Sequence, residues 1–164
     1  MSDQRSDRKN GGGPIAENRK ARHDYYIEET IEAGIALVGS EIKSVRAGRA
    51  NLRESYVRIE NDEAWLLNAH VSPWPQAGTY FNHEPTRPRK LLLHREEIER
   101  LRGKVEQKGL TLVPLKMYFV RGRAKVEVAV ARGKKLYDKR ETLAERDSQR
   151  EIARVMRERN KVEY

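Results

Sequence analysis

The sequence predicts a mainly β domain with helices: a small antiparallel OB-like barrel of about six strands, two or more short helices, and a basic C-terminal tail. Three observations carry this. Between Tyr25 and Ala131 lie many short runs rich in β-branched and aromatic residues, separated by turn residues. A helical pattern is inserted among them, and many short strands with an inserted helix favour a closed or partly closed barrel. Residues 131–164 carry 11 basic and 7 acidic side chains but few apolar ones, too few to bury a wide stripe against a core. The expected organisation is a flexible leader over 1–17, a barrel over 18–132 and a tail over 133–164.

The opening MSDQRSDRKNGGGP is Gly-rich, polar and without periodicity, which predicts a flexible leader. Tyr25-Tyr26-Ile27, Thr30-Ile31 and Ile35 to Val38 then predict two strands, or one long strand with a bulge at Gly34. Ser40 and Glu41 suit a helix start, Ile42 and Val45 its apolar face, and Gly48 its C-cap. Ser55 to Glu60 and Ala64 to Val71 predict a hairpin turned at Asn61-Asp62. Pro73, Pro75, Pro85 and Pro88 make Ser72 to Pro88 a loop. In Arg95 to Lys108, Ile98, Leu101 and Val105 recur at helical spacing, and Gly109 ends the helix. Thr111–Val120 and Arg123–Ala131, joined by Arg121-Gly122, form the clearest hairpin. From Asp138 to about Asn160 the residues are helix formers without Pro or Gly. With little apolar surface to dock, this tail is expected to be disordered free and helical on a partner.

Composition narrows the function. Hydrophobic residues are 37% and charged residues 36% of the 164, against usual values of about 45–50% and 25%. No apolar run reaches the roughly 20 residues of a membrane span, and the polar N-terminus has no signal-peptide pattern. Cysteine is absent, which excludes disulfides, thiol nucleophiles and cysteine-held metals and suits a reducing cytoplasm. A net charge of +9 and a pI near 9.8 point to a polyanionic partner, nucleic acid before membrane.

Three basic clusters stand beside aromatic residues or on expected loops. Arg19, Lys20, Arg22 and His23 precede Tyr25-Tyr26, the mixture that phosphate contact and base stacking need. Arg87-Pro88-Arg89-Lys90 is a second cluster, and Arg46, Arg49 and Arg53 flank the first helix; Lys43, inside that helix, joins the candidate RNA contacts. Structured RNA suits these better than duplex DNA, because no recognition helix or zinc finger is visible. A catalytic reading rests on His23, His70 and His83. None lies at helical spacing from another, and no HExxH, GxSxG or Walker pattern is present. No cofactor or metal is expected. Residue chemistry alone leaves an RNA-binding barrel, with a generic ribosomal or chaperone module as the alternative.

Five stretches resemble the small protein B family, the SsrA-binding proteins. They are Asn18-Arg19-Lys20-Ala21-Arg22-His23-Asp24-Tyr25, Ile27 to Gly34, Glu41 to Gly48, Arg87 to Leu93, and Gly133-Lys134-Lys135-Leu136-Tyr137-Asp138-Lys139-Arg140. The resemblance runs from about residue 14 to 160. It implies a non-enzymatic factor that binds the tRNA-like domain of transfer-messenger RNA and delivers it, with elongation factor and GTP, to stalled ribosomes. It also implies a tail that enters the empty decoding site and message channel. It places Asn18, Glu32 and Leu92 on the RNA-binding face. It assigns Gly133, Lys134, Lys135, Tyr137, Asp138, Lys139 and Arg140 to the decoding-site motif, and Val155-Met156 to the channel. Tyr137 stands where many family members have His. Outside the resemblance, Asn18 reads as a turn residue, Glu32 as a surface charge and Leu92 as core.

Overall fold

Six antiparallel strands close into a ring in the computed structural model, which describes residues 13–162. In chain order the strands are β1 (Ala16–Glu17), β2 (Tyr25–Ile35), β3 (Ala50–Asn51), β4 (Tyr56–Glu60), β5 (Glu63–Leu67), β6 (His70–Val71), β7 (Arg89–Leu92), β8 (Thr111–Val120) and β9 (Arg123–Gly133). The helices are α1 (Arg19–Asp24), α2 (Gly39–Arg46), α3 (Arg95–Lys108) and α4 (Leu136–Val162). The ring runs β8-β4-β5-β7-β2-β9 and back to β8. Closure satisfies the backbone groups that an open edge strand leaves free.

Most of the predicted elements stand where the residues put them. The helix over Arg95–Lys108 ends at Gly109 in the left-handed conformation, φ 63°, where glycine has no Cβ to clash. Asn61-Asp62 and Arg121-Gly122 turn the two hairpins with positive φ throughout, the pattern of tight primed turns. Pro114, buried inside β8, sits where the β8–β9 register shifts. A proline has no N–H for the ladder, so a bulge is where a strand tolerates one.

Three expectations are corrected. Residues 16–17 of the expected leader form β1, in register with Met117 and Lys116; the leader's first twelve residues lie outside the described chain. The β2 irregularity falls between Ile27 and Glu29, not at Gly34. Gly34 serves another purpose: a Cβ there would lie 3.2 Å from the Leu92 Cβ, so its smallness lets β2 and β7 approach. The run to Val71 breaks at Asn68, φ 64°, and β6 pairs with β3 in a separate two-stranded sheet. The tail forms one 27-residue helix, the conformation expected of it on a partner. Its first turns dock on the barrel and supply the nucleus that an isolated helix finds costly, and good helix formers carry it onward.

The barrel interior is lined by side chains such as Leu66, Leu91, Met117, Val126 and Val128, all at most 1% exposed. A buried ion pair shares it. Glu41 on α2 and Arg89 on β7 are both fully buried, and the Arg89 guanidinium donates to the Glu41 carboxylate. The rest of the Arg89 fork donates to the Ala69 carbonyl at 2.7 Å and the Pro85 carbonyl at 3.0 Å. Glu41 also accepts from Arg87 Nε at 3.0 Å and from the Val38 N–H at 3.0 Å, which starts α2. This cluster ties α2, β7 and the proline loop together. Buried charges persist only when their donors and acceptors are met in this way.

Candidate nucleic-acid interface

The sequence candidates gather in two places. The first is the root of the tail. Asn18 is buried, 6% exposed. Its Oδ1 accepts from the Ala21 N–H at 3.2 Å, its Nδ2 donates to the Pro114 carbonyl at 3.0 Å, and its own N–H donates to the Leu115 carbonyl at 2.7 Å. It caps α1 and seats it on β8. Six residues without an apolar stripe form no helix unaided; the cap and the dock make this one. Replacing Asn18 by Ala is expected to cost about 1–2 kcal/mol, from a lost cap and an unmet carbonyl. Urea unfolding of the variant measures it, and a cost below about 0.5 kcal/mol would contradict the capping role.

So held, α1 turns Arg19 and Arg22 outward, while Lys20 pairs with Glu54. At its end Asp24 becomes the junction with α4. His23 Nδ1 donates to the Asp24 carboxylate at 2.9 Å, Lys139 stands 3.4 Å from it, and the Lys134 N–H donates to the Asp24 carbonyl at 2.8 Å. Burial pushes the Asp24 carboxyl up, but the His23 bond and the Lys139 ammonium outweigh it and hold it below the usual carboxylate range. The Lys134 ammonium lies 4.9 Å from the Tyr26 ring centroid and donates to Thr142 Oγ1 at 3.0 Å. Asp24 was not singled out from sequence as a contact, although it stands inside the motif that was; Tyr26 entered only as a stacking ring. Tyr25 is half-buried, packed against the small cluster around Ala21, Val113 and Ala131.

Beyond this root the tail motif divides. Lys134, Asp138 and Lys139 turn toward the barrel, whereas Gly133, Lys135, Tyr137 and Arg140 are exposed. Farther along, Ile152, Val155 and Met156 are 59%, 44% and 59% exposed. Their spacing of three and four sets them on one face of α4, and no part of the described chain covers it.

The second place is an open cleft of about 1150 Å³, bounded by β2, β7, the start of α3 and the β8–β9 turn. It brings Glu32, Lys90, Leu92 and Arg46 together with Phe119 and Lys125, the last two missed in sequence. Strand alternation decides who faces it: in β7, Arg89 and Leu91 point inward and Lys90 and Leu92 outward. Leu92, 54% exposed, is therefore not the core residue its type suggests. Glu32 accepts from the Tyr118 hydroxyl. Burial, with Glu32 and Glu127 nearby, pushes that hydroxyl well above its usual range. Lys90 pairs with Glu63 at 3.0 Å, and the Arg46 guanidinium lies 5.9 Å from the Phe119 ring. Lys43 is exposed on α2 outside the cleft.

Two candidates are corrected. Arg89 is no surface contact but the buried partner of Glu41. His83 is buried too: its Nε2 donates to the Val71 carbonyl at 2.8 Å, which leaves Nδ1 to accept from Ser40 Oγ at 2.8 Å. Among the described residues no three His, Asp or Glu side chains converge to hold a metal, and no helix is long and apolar enough to cross a membrane.

Comparison with known proteins gives a consistent result. The family model described as "SmpB protein" matches residues 15–158. An SsrA-binding protein of Roseiflexus sp. (strain RS-1) is 64% identical over 147 residues, 90% of this chain and 93% of the relative. One from Chloroflexus aurantiacus (strain ATCC 29366 / DSM 635 / J-10-fl) is 67% identical over 145 residues, 88% of this chain and 91% of the relative. A chain in the solved structure "tmRNA-SmpB: a journey to the center of the bacterial ribosome" superposes with a TM-score of 0.64 at 55% identity, covering 80% of this chain and 95% of that one.

Proposed function

The chain belongs to the SmpB protein family, and on that premise we propose that it is an RNA-binding factor for ribosome rescue by trans-translation. Its barrel binds the tRNA-like domain of transfer-messenger RNA and delivers that RNA to stalled ribosomes. Its tail occupies the empty decoding site and message channel. Elongation factor with GTP joins through the RNA, and the work is done in the cytoplasm. The protein moves no bonds itself; it positions RNA so that the ribosome's own chemistry proceeds.

The observation that carries this reading is a pair of separate exposed surfaces, a cleft on the barrel wall and a projecting tail helix. The cleft offers Lys90, Arg46 and Lys125 with the Phe119 ring and the exposed Leu92, which suits a folded RNA elbow with unstacked bases. The tail helix projects Lys135, Tyr137 and Arg140 and, farther on, its uncovered apolar face. Asp24 and Lys134 join the tail to the end of α1. Exposed Arg19 and Arg22 add phosphate contacts beside the joint. A generic RNA-binding module needs the first surface but not the second.

The test is equilibrium binding of the purified protein to transfer-messenger RNA, with bulk tRNA as competitor, at physiological salt. Salt is fixed because phosphate contacts alone bind any RNA when it is low. Tight binding that survives excess tRNA is expected. Binding that tRNA erases would reduce the protein to a generic basic barrel.

A further inference from the structure

We infer that the loop between β6 and β7 is a stacking platform for unpaired RNA bases, built by Tyr80 and Phe81 and flanked by the basic end of α2. This rests on the RNA-binding reading above and adds a contact surface to it. Tyr80 is 96% exposed and Phe81 85%. A single exposed apolar side chain is ordinary, but these two are consecutive and sit on a loop fastened just behind them. Asn82 Nδ2 donates to the carbonyls of Trp74 and Gly78 at 2.8 and 3.1 Å, and its Oδ1 accepts from the Trp74 N–H at 2.9 Å. Next along the chain, buried His83 anchors to Val71 and Ser40. The loop is thus pinned on both sides while the two rings face solvent.

Charge names the occupant. The Ser72 N–H donates to the Arg49 carbonyl at 3.0 Å, and the Arg49 guanidinium lies 6.0 Å from the Trp74 ring. The loop's root is therefore fastened to the segment bearing Lys43, Arg46, Arg49 and Arg53. Among the described residues none of these four pairs with a carboxylate, and Arg46 also lines the cleft. Cations at the loop's root and exposed rings at its tip are what a nucleic-acid strand with splayed bases requires: cations for phosphates, rings for base faces. The bases can come from the transfer-messenger RNA or from ribosomal RNA, and the experiment separates these sources.

Full-length Y80A/F81A and Y80F/F81Y are compared with the parent for binding to tRNA-like-domain RNA and to isolated small ribosomal subunits, at matched salt. Stacking contributes enough per base that Y80A/F81A is expected to bind one of the two about fivefold or more weakly. Y80F/F81Y keeps both rings and is expected to stay within about twofold of the parent. Because no phosphate contact is removed, the dependence of log K on log salt should keep its slope. The arm that weakens identifies the RNA. If Y80A/F81A binds both like the parent, or if the ring-conserving variant fails equally, the platform is wrong. If the parent itself binds neither RNA selectively, the failure lies in the RNA-binding reading.

Discussion

A chain stopped after Gly133 is expected to retain binding to the tRNA-like domain within about tenfold and to lose transfer-messenger-RNA-dependent peptide tagging entirely. The cut point follows from the register. β9 pairs Ala131 with Thr111 and Ile27, and Gly133 with Tyr25. Ala131 is fully buried. A cut at residue 130 would open the barrel wall and confuse loss of fold with loss of function. A cut after 133 removes the Lys134 and Lys139 contacts at Asp24 and leaves every barrel strand whole. The removed segment carries ten basic and seven acidic residues, a modest net contribution to phosphate attraction. The cleft and the α1 cations remain. Tagging differs because on the proposed function only the tail reaches the decoding site. Filter binding and a peptide-tagging assay on the same preparation decide it. Tagging at the parent level would sink the two-surface account, and so would complete loss of RNA binding by a truncated protein that still melts cooperatively.

What could be seen in the sequence, and what could not, divides along a physical line. α3 and the β8–β9 hairpin were legible because their signals are local: apolar residues at helical spacing, and a turn dipeptide between β-rich runs. The six-strand ring followed from counting such runs. α1 was illegible because its stability is not local; it depends on Asn18 reaching across to Pro114 on β8. The two-stranded β3–β6 sheet was missed because strands of two residues carry no periodicity. The charge clusters misled in one respect. Composition cannot tell a free arginine from a paired one, so Arg87-Pro88-Arg89-Lys90 read as one basic patch, whereas strand alternation sends Arg89 inward and Lys90 outward. Leu92 runs the other way: by type alone it reads as core, yet the same alternation leaves it in solvent. The tail's apolar residues were read as too few to dock a wide stripe, and Ile152, Val155 and Met156 stand uncovered on one face of α4. Its first turns dock at Asp24, a contact that only folding reveals.

Replacing Glu41 by Gln is expected to destabilise the barrel by about 3–5 kcal/mol, a large part of the roughly 5–15 kcal/mol that holds a domain of this size together. The substitution keeps the side chain's shape but removes the charge opposite Arg89, which is 0% exposed and has no water to turn to. Arg87 and the Val38 N–H lose the same acceptor strength, so β7, the proline loop and the start of α2 loosen together. The cost comes from the unpaired charge more than from any net gain of the pair, so E41L/R89M, which removes both buried charges, is expected to cost less than E41Q. The pH dependence carries an independent signature. Burial pushes the Glu41 carboxyl up, but Arg87, the Val38 N–H and Arg89 outweigh it and hold it below its usual value of 4.5. A carboxyl lowered on folding stabilises fully above its unfolded value and loses that contribution as pH falls through its folded one. The gap between parent and E41Q should therefore be constant at neutral pH and close progressively below about pH 4.5. Asp24 and Glu29 are also held low, so the parent's acid sensitivity alone would not isolate Glu41; the difference between the two proteins does. Urea unfolding of both across that range measures it. A cost below about 1 kcal/mol at neutral pH, or a gap that widens in acid, would show that the buried charges are not what clasps β7 to α2.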